Sequence, residues 1–122
     1  MFDLHDKIAI VTGASQGIGK TIALELSKSG AFVYCISRNK KAIESVVNNI
    51  INNGGKSSSY SCDISDSDNF KDIIEKIVKK HNKIDILVNN AGVTNDALLM
   101  RMSNKQWDQV IDTNLKGAFT CI

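Results

Sequence analysis

The sequence predicts an α/β fold, a doubly wound parallel sheet with helices on both faces, and three observations carry that reading. Short β-branched runs alternate with longer stretches whose apolar residues recur at helical spacing. A glycine-rich turn joins the first such strand to the first such helix. The connections are short, and no repeat, low-complexity segment or linker divides the chain, so helical crossovers between parallel strands are the arrangement that fits.

Lys7-Ile8-Ala9-Ile10-Val11 suits a buried strand, and it runs into Thr12-Gly13-Ala14-Ser15-Gln16-Gly17-Ile18-Gly19. Ile18, Ile22, Ala23 and Leu26 then recur at helical spacing. Glycine lets the backbone turn tightly and lets a ligand approach, while the helix N-terminus offers unpaired N–H groups and partial positive charge. A phosphate or pyrophosphate fits there. Gly13 and Gly17 are four apart and Gly19 follows two later, which departs from the common dinucleotide spacing. It is not the phosphate loop of nucleotide triphosphatases either, because Ala14 stands where that loop needs its first glycine. On this motif alone, a merely tight strand-to-helix turn stays open.

The first helix runs to about Ser29, and Gly30 closes it in the left-handed conformation. Ala31-Phe32-Val33-Tyr34-Cys35-Ile36 is a continuous apolar run, as expected of a strand covered on both faces. It ends in Ser37-Arg38-Asn39-Lys40-Lys41. In nucleotide-binding βαβ units an acid near this point accepts hydrogen bonds from the ribose hydroxyls. None is present here, and Arg38 offers a forked donor to a phosphate, which favours NADP(H) over NAD(H). The alternative is that Arg38 and its lysines only solvate a helix start.

Ile43, Val46, Val47, Ile50 and Ile51 form the apolar stripe of the second helix, which Asn53-Gly54-Gly55 stops. Residues 56–62 read as a third strand, and Ser65 or Ser67 can cap a third helix whose buried face is Phe70, Ile73, Ile74, Ile77 and Val78. Lys83-Ile84-Asp85-Ile86-Leu87-Val88 is the fourth strand, running into an Asn89-Asn90-Ala91-Gly92 turn whose small residues leave room for a ribose or a nicotinamide. Ser103-Asn104-Lys105-Gln106 has the form of a capping box. The helix it opens puts Trp107, Val110, Ile111, Leu115 and Ala118 on one face, with Asn114 in the middle. A buried amide without partners costs about 1–3 kcal/mol, so Asn114 must bond to protein, water or ligand. The implied strand order is 3-2-1-4.

With 122 residues, 43% of them hydrophobic, the chain is expected to form one domain with a real core. A net charge of +2, with lysines dispersed among acids, speaks against nucleic-acid binding. No apolar run approaches the roughly eighteen residues of a membrane span, and the first six residues lack the pattern of a signal peptide. Cys35, Cys62 and Cys121 have no metal-ligand spacing, so no metal is expected, and a reducing, cytoplasmic setting fits them.

Taken together, these residues resemble the short-chain dehydrogenase/reductase family along the entire chain, and within it the 3-oxoacyl-[acyl-carrier-protein] reductases of fatty-acid synthesis. Residues 12–19 match its T-G-x-x-x-G-x-G loop, Asp63 its adenine-contacting acid and residues 89–92 its N-N-A-G turn. Residues 92–102 and 107–117 carry the likeness to that reductase. The resemblance implies a Rossmann-type domain of which residues 1–122 are the N-terminal part. It implies that the loop of Gly13, Ala14, Ser15, Gln16, Gly17, Ile18 and Gly19 holds the cofactor pyrophosphate and that Arg38 faces the 2′-phosphate of NADP(H). Asp63 and Ile64 would flank the adenine, and Asn90, Ala91 and Gly92 would line the ribose and the approach to the nicotinamide. Asn114 corresponds to the family's catalytic asparagine, which helps hold a water in a proton relay. Gln16 stands where a basic residue is frequent in NADP-dependent members, which leaves more of the phosphate recognition to Arg38.

The implied substrate is a 3-oxoacyl group on acyl carrier protein, and the implied full-length assembly is a homotetramer. Family members are about twice this length and carry a catalytic serine and a Y-x-x-x-K motif. Here Tyr34 and Tyr60 are followed four residues later by Arg38 and Ile64. The final Phe119-Thr120-Cys121-Ile122 holds no helix stop, and a half sheet would leave the fourth strand as a bare apolar edge. The expectation is therefore a chain cut after Ile122 that does not reduce substrate by itself. The rival readings are a family member acting on a sugar, steroid or alcohol, and a non-catalytic nucleotide-binding module.

Overall fold

The computed structural model describes residues 3–90 and the backbone of residues 98–101. Its centre is β1 (Ile8–Thr12), buried at every position. Next come α1 (Gly17–Lys28), β2 (Phe32–Ser37), α2 (Lys40–Asn52), β3 (Lys56–Ser61), α3 (Ser67–His81), β4 (Ile86–Asn89) and β5 (Leu98–Arg101). The sheet order is β3-β2-β1-β4-β5. The first four strands run parallel in the predicted 3-2-1-4 order.

The two-residue period of the strands sorts the core into two layers. Ile8, Ile10, Tyr34, Ile36 and Leu87 pack with Phe70, Ile73, Ile74 and Ile77 of α3. Ala9, Val11, Val33, Cys35, Ile86 and Val88 pack on the other face with Ala23 of α1 and Ile43, Val46, Val47 and Ile50 of α2. Doubly wound topology follows, since both faces of β1 and β2 must be covered. β3 is the polar outer strand, and Ser57 Oγ there donates to the Val33 carbonyl at 2.6 Å. A serine-rich edge opening on an exposed Lys56 discourages pairing with another sheet.

Several boundaries differ from the sequence expectation. Ile51 is 50% exposed instead of buried in its helix stripe, and Ile18, placed by the spacing on the apolar face of α1, is 50% exposed as well. Ile18 lies in the first turn of α1, and Ile51, eight residues after Ile43, has rotated about 80° off the stripe centre at 3.6 residues per turn. Asp66, not Ser65 or Ser67, caps α3, its carboxylate accepting the Asn69 N–H at 3.2 Å. Ser65 is already engaged with Asp63. β4 begins at Ile86 instead of Lys83 because the Asp85 carboxylate takes the Ile8 N–H at 2.8 Å in place of a strand carbonyl. Asn89 belongs to β4 and is buried, where a turn was expected.

The edge of β4 is not bare. β5 pairs with it antiparallel, with Val88 opposite Leu99, so the row of backbone donors and acceptors that β4 would expose is met by a segment the sequence pattern did not mark as a strand. Ala91, Gly92, the capping box at Ser103, Asn114 and Cys121 lie outside the described residues.

Candidate functional site

Parallel strands bring all their carboxyl ends to one edge of the sheet, and the residues singled out by the motifs gather there. The loop after β1 turns with Gly13 at φ +61° and Gly17 at φ +59°, a region that L side chains rarely adopt. Gly19 serves a different need. A Cβ there would lie 2.1 Å from the Gly13 carbonyl oxygen and 2.7 Å from Asn90 Nδ2, so only a bare backbone lets α1, the loop and the end of β4 meet.

The loop is tied to β2 on its other side. Ala14 N–H donates to the Ile36 carbonyl at 3.4 Å, and Ser37 Oγ donates to Ser15 Oγ at 3.1 Å. Gln16 is the extended N-cap of α1 and gives it no side-chain cap, and the first turn carries no acid. The positive end of the helix is therefore left for an anion from elsewhere.

Thr12, the last residue of β1 and outside the motif-derived site residues, holds this edge together. Its hydroxyl donates to Asn89 Oδ1 at 2.9 Å and accepts the Asn90 N–H at 2.9 Å. Asn90 Nδ2 in turn donates to the Gly13 carbonyl at 3.5 Å. The available signal was a hydroxyl residue closing an otherwise apolar strand.

A second group forms where β2 and β3 end. Cys62 N–H donates to the Ser37 carbonyl at 3.0 Å and Ser61 Oγ to the Arg38 carbonyl at 3.3 Å, so the two strand ends leave the sheet side by side. Arg38 Nη1 stands 3.9 Å from Asp63 Oδ2, with the Arg38 side chain 78% exposed. Asp63 Oδ1 accepts the Ser65 hydroxyl at 2.7 Å and the Ser65 N–H at 3.0 Å. Those two bonds, and after them the Arg38 charge, hold the Asp63 carboxyl below the usual aspartate value. Ile64 packs against the α3 layer.

The described structure thus brings the glycine loop and Asn90 into one cluster and Arg38 with Asp63 into another, both on the carboxyl edge. Ala91, Gly92 and Asn114 lie outside the described residues. Cys35 and Cys62 are free and buried, and burial pushes the Cys35 thiol up to about 11, which suits a packing role. Among the described residues no group of three His, Cys, Asp or Glu side chains could hold a metal ion, and no helix is long and apolar enough to cross a membrane.

Comparison with known proteins agrees with this geometry. A family model described as short chain dehydrogenase matches residues 7–122. The 3-oxoacyl-[acyl-carrier-protein] reductase FabG of Staphylococcus epidermidis is 47% identical over 120 residues, covering 96% of this chain and 48% of that protein. The chain spans about half the length of the curated relatives it matches. Among solved structures, a metagenomic short-chain oxidoreductase in complex with NADP matches at a TM-score of 0.73 and 40% identity, over 75% of this chain and 41% of that one. A hydroxysteroid dehydrogenase from Escherichia coli matches at 0.69 and 40% identity, over 73% and 37%.

Proposed function

The chain belongs to the short-chain dehydrogenase family, and on that premise we propose that it provides the cofactor-binding part of an NADPH-dependent 3-oxoacyl-[acyl-carrier-protein] reductase. The observation that carries the nucleotide reading is the convergence at Gly19, where backbone crowding at 2.1 Å leaves no room for a side chain. With an uncapped helix end beside it, this cradle fits a pyrophosphate.

In this reading the backbone from Gly13 to Gly19 holds the pyrophosphate. Arg38, exposed at the end of β2 with no acid between residues 37 and 41, meets the 2′-phosphate. Asp63 and Ile64 flank the adenine. Asn90, Ala91 and Gly92 line the ribose and the approach to the nicotinamide, and Asn114 helps hold a water for proton relay. Ile18, half exposed in the first turn of α1, offers apolar surface to the same crevice. Bound NADPH supplies the hydride. Neither Tyr34 nor Tyr60 is read as the acid that protonates the carbonyl, because neither is followed by a lysine four positions on. The 122 residues alone therefore do not turn over substrate. The substrate in this reading is a 3-oxoacyl group on acyl carrier protein, supported by the 47% identity to FabG; a cytoplasmic homotetramer is proposed with it on the family resemblance alone.

Binding of NADPH and NADH to the protein at its native length tests the cofactor assignment. NADPH should bind at least about tenfold tighter, the worth of one charge-assisted phosphate contact, and Arg38→Ala should erase the difference without weakening NADH. Equal binding of the two by the unaltered protein overturns it. Oxidation of NADPH with an acetoacetyl thioester tests the substrate. The second reading, a steroid or other alcohol substrate, is favoured by the 40% identity to the hydroxysteroid dehydrogenase and would show as turnover of those alcohols but not of the thioester.

A further inference from the structure

We propose that the amino edge of the sheet holds a second ligand site, for a small anion that carries an aromatic ring. Parallel strands place all their amino ends together on the edge opposite the nucleotide cradle, about 17 Å away for a five-residue strand. A pocket of about 330 Å³ opens there, at the small end of the range for small-molecule sites. Lys7 enters it just before β1, Lys56 at the start of β3 and Lys83 just before β4, while Phe32 and His81 form a wall.

The charges do not cancel. Asp6 is the single carboxylate of the lining, and its side chain is 85% exposed and lies 3.6 Å from His5. Lys83 is committed to Asp85, 3.1 Å away, and to the Asp6 carbonyl. Lys7 and Lys56 form no ion pair among the described residues, so the lining carries more positive than negative charge. A bound anion meets that excess of positive charge.

The wall is built in advance. Phe32 stacks on Tyr34 at 4.9 Å, and the His81 ring meets Phe32 edge-on at 5.0 Å. Tyr34 OH fixes His81 Nε2 at 2.6 Å and stacks in turn near Tyr60, at 6.0 Å. A ring entering beside Phe32 therefore extends an existing stack and orders no new side chain, which lowers the cost of binding.

Benzoate is the probe, titrated into the protein at its native length while backbone amides are followed by NMR. Saturable shifts are expected at Phe32, Lys56 and Lys83 with a dissociation constant of about 1 mM, fitting a nine-atom ligand of ordinary efficiency. Acetate and benzyl alcohol, each lacking one half of the chemistry, should bind at least about tenfold more weakly. The Lys7→Gln/Lys56→Gln double variant alters one half-buried and one exposed position, neither in an ion pair, and should fold as the parent does, with benzoate binding about tenfold weaker. The proposal is overturned if the shifts do not saturate, if acetate or benzyl alcohol does as well, if the double variant binds equally, or if the shifts fall on residues 13–19 instead.

Discussion

The Thr12 hydroxyl donates to the Asn89 carboxamide at 2.9 Å, with the two residues 0% and 1% exposed. Seventy-seven residues apart in the chain, they close the carboxyl ends of adjacent parallel strands and set the height at which Asn90 meets the glycine loop. Thr12→Val keeps the shape and deletes the hydroxyl, leaving the Asn89 oxygen and the Asn90 N–H without that partner. The expected cost is about 1–3 kcal/mol by urea denaturation, together with weaker NADPH binding.

Gly17 and Gly19 should answer differently to the same change. Gly17→Ala meets nothing within 4 Å and pays only for a positive φ, about 1–2 kcal/mol. Gly19→Ala drives a methyl into the Gly13 carbonyl, so the loop must move. Thermal melts with and without NADPH check this. Gly17→Ala should keep a ligand-dependent rise in melting temperature, and Gly19→Ala should lose it.

His81 gives the fold a pH dependence. Burial, followed by the charges of Lys80 and Lys83, holds its pKa below the ordinary histidine value. The unfolded chain then binds the proton more readily, so stability is full above the unfolded value of about 6.5 and is lost as pH falls through the folded one. Urea melts from pH 7 downward should show this loss. His81→Phe, which cannot titrate, should flatten the slope and cost the Tyr34 hydrogen bond at every pH.

Two isoleucines measure where the core ends. Ile10 is 0% exposed at the centre of the sheet, and Ile10→Ala should cost about 2–5 kcal/mol. Ile51, 50% exposed, should tolerate Ile51→Ser within about 0.5 kcal/mol. Equilibrium denaturation of the two variants side by side settles the comparison.

The alternation of elements, the burial of β1 and β2 and the inward faces of α2 and α3 are legible in the chain alone. Each of these is written in a local period that neighbouring residues share. The chain also marks the glycine loop, because a positive φ at Gly13 and Gly17 is a requirement on single residues. The rest comes from the folded arrangement: Asn89 in a strand beside Thr12, Arg38 beside Asp63, β5 on the edge of β4, and three lysines around one pocket at the amino edge. These partners stand far apart in the chain. Whether they meet depends on strand order and register, and those follow from how both faces of the whole sheet are covered.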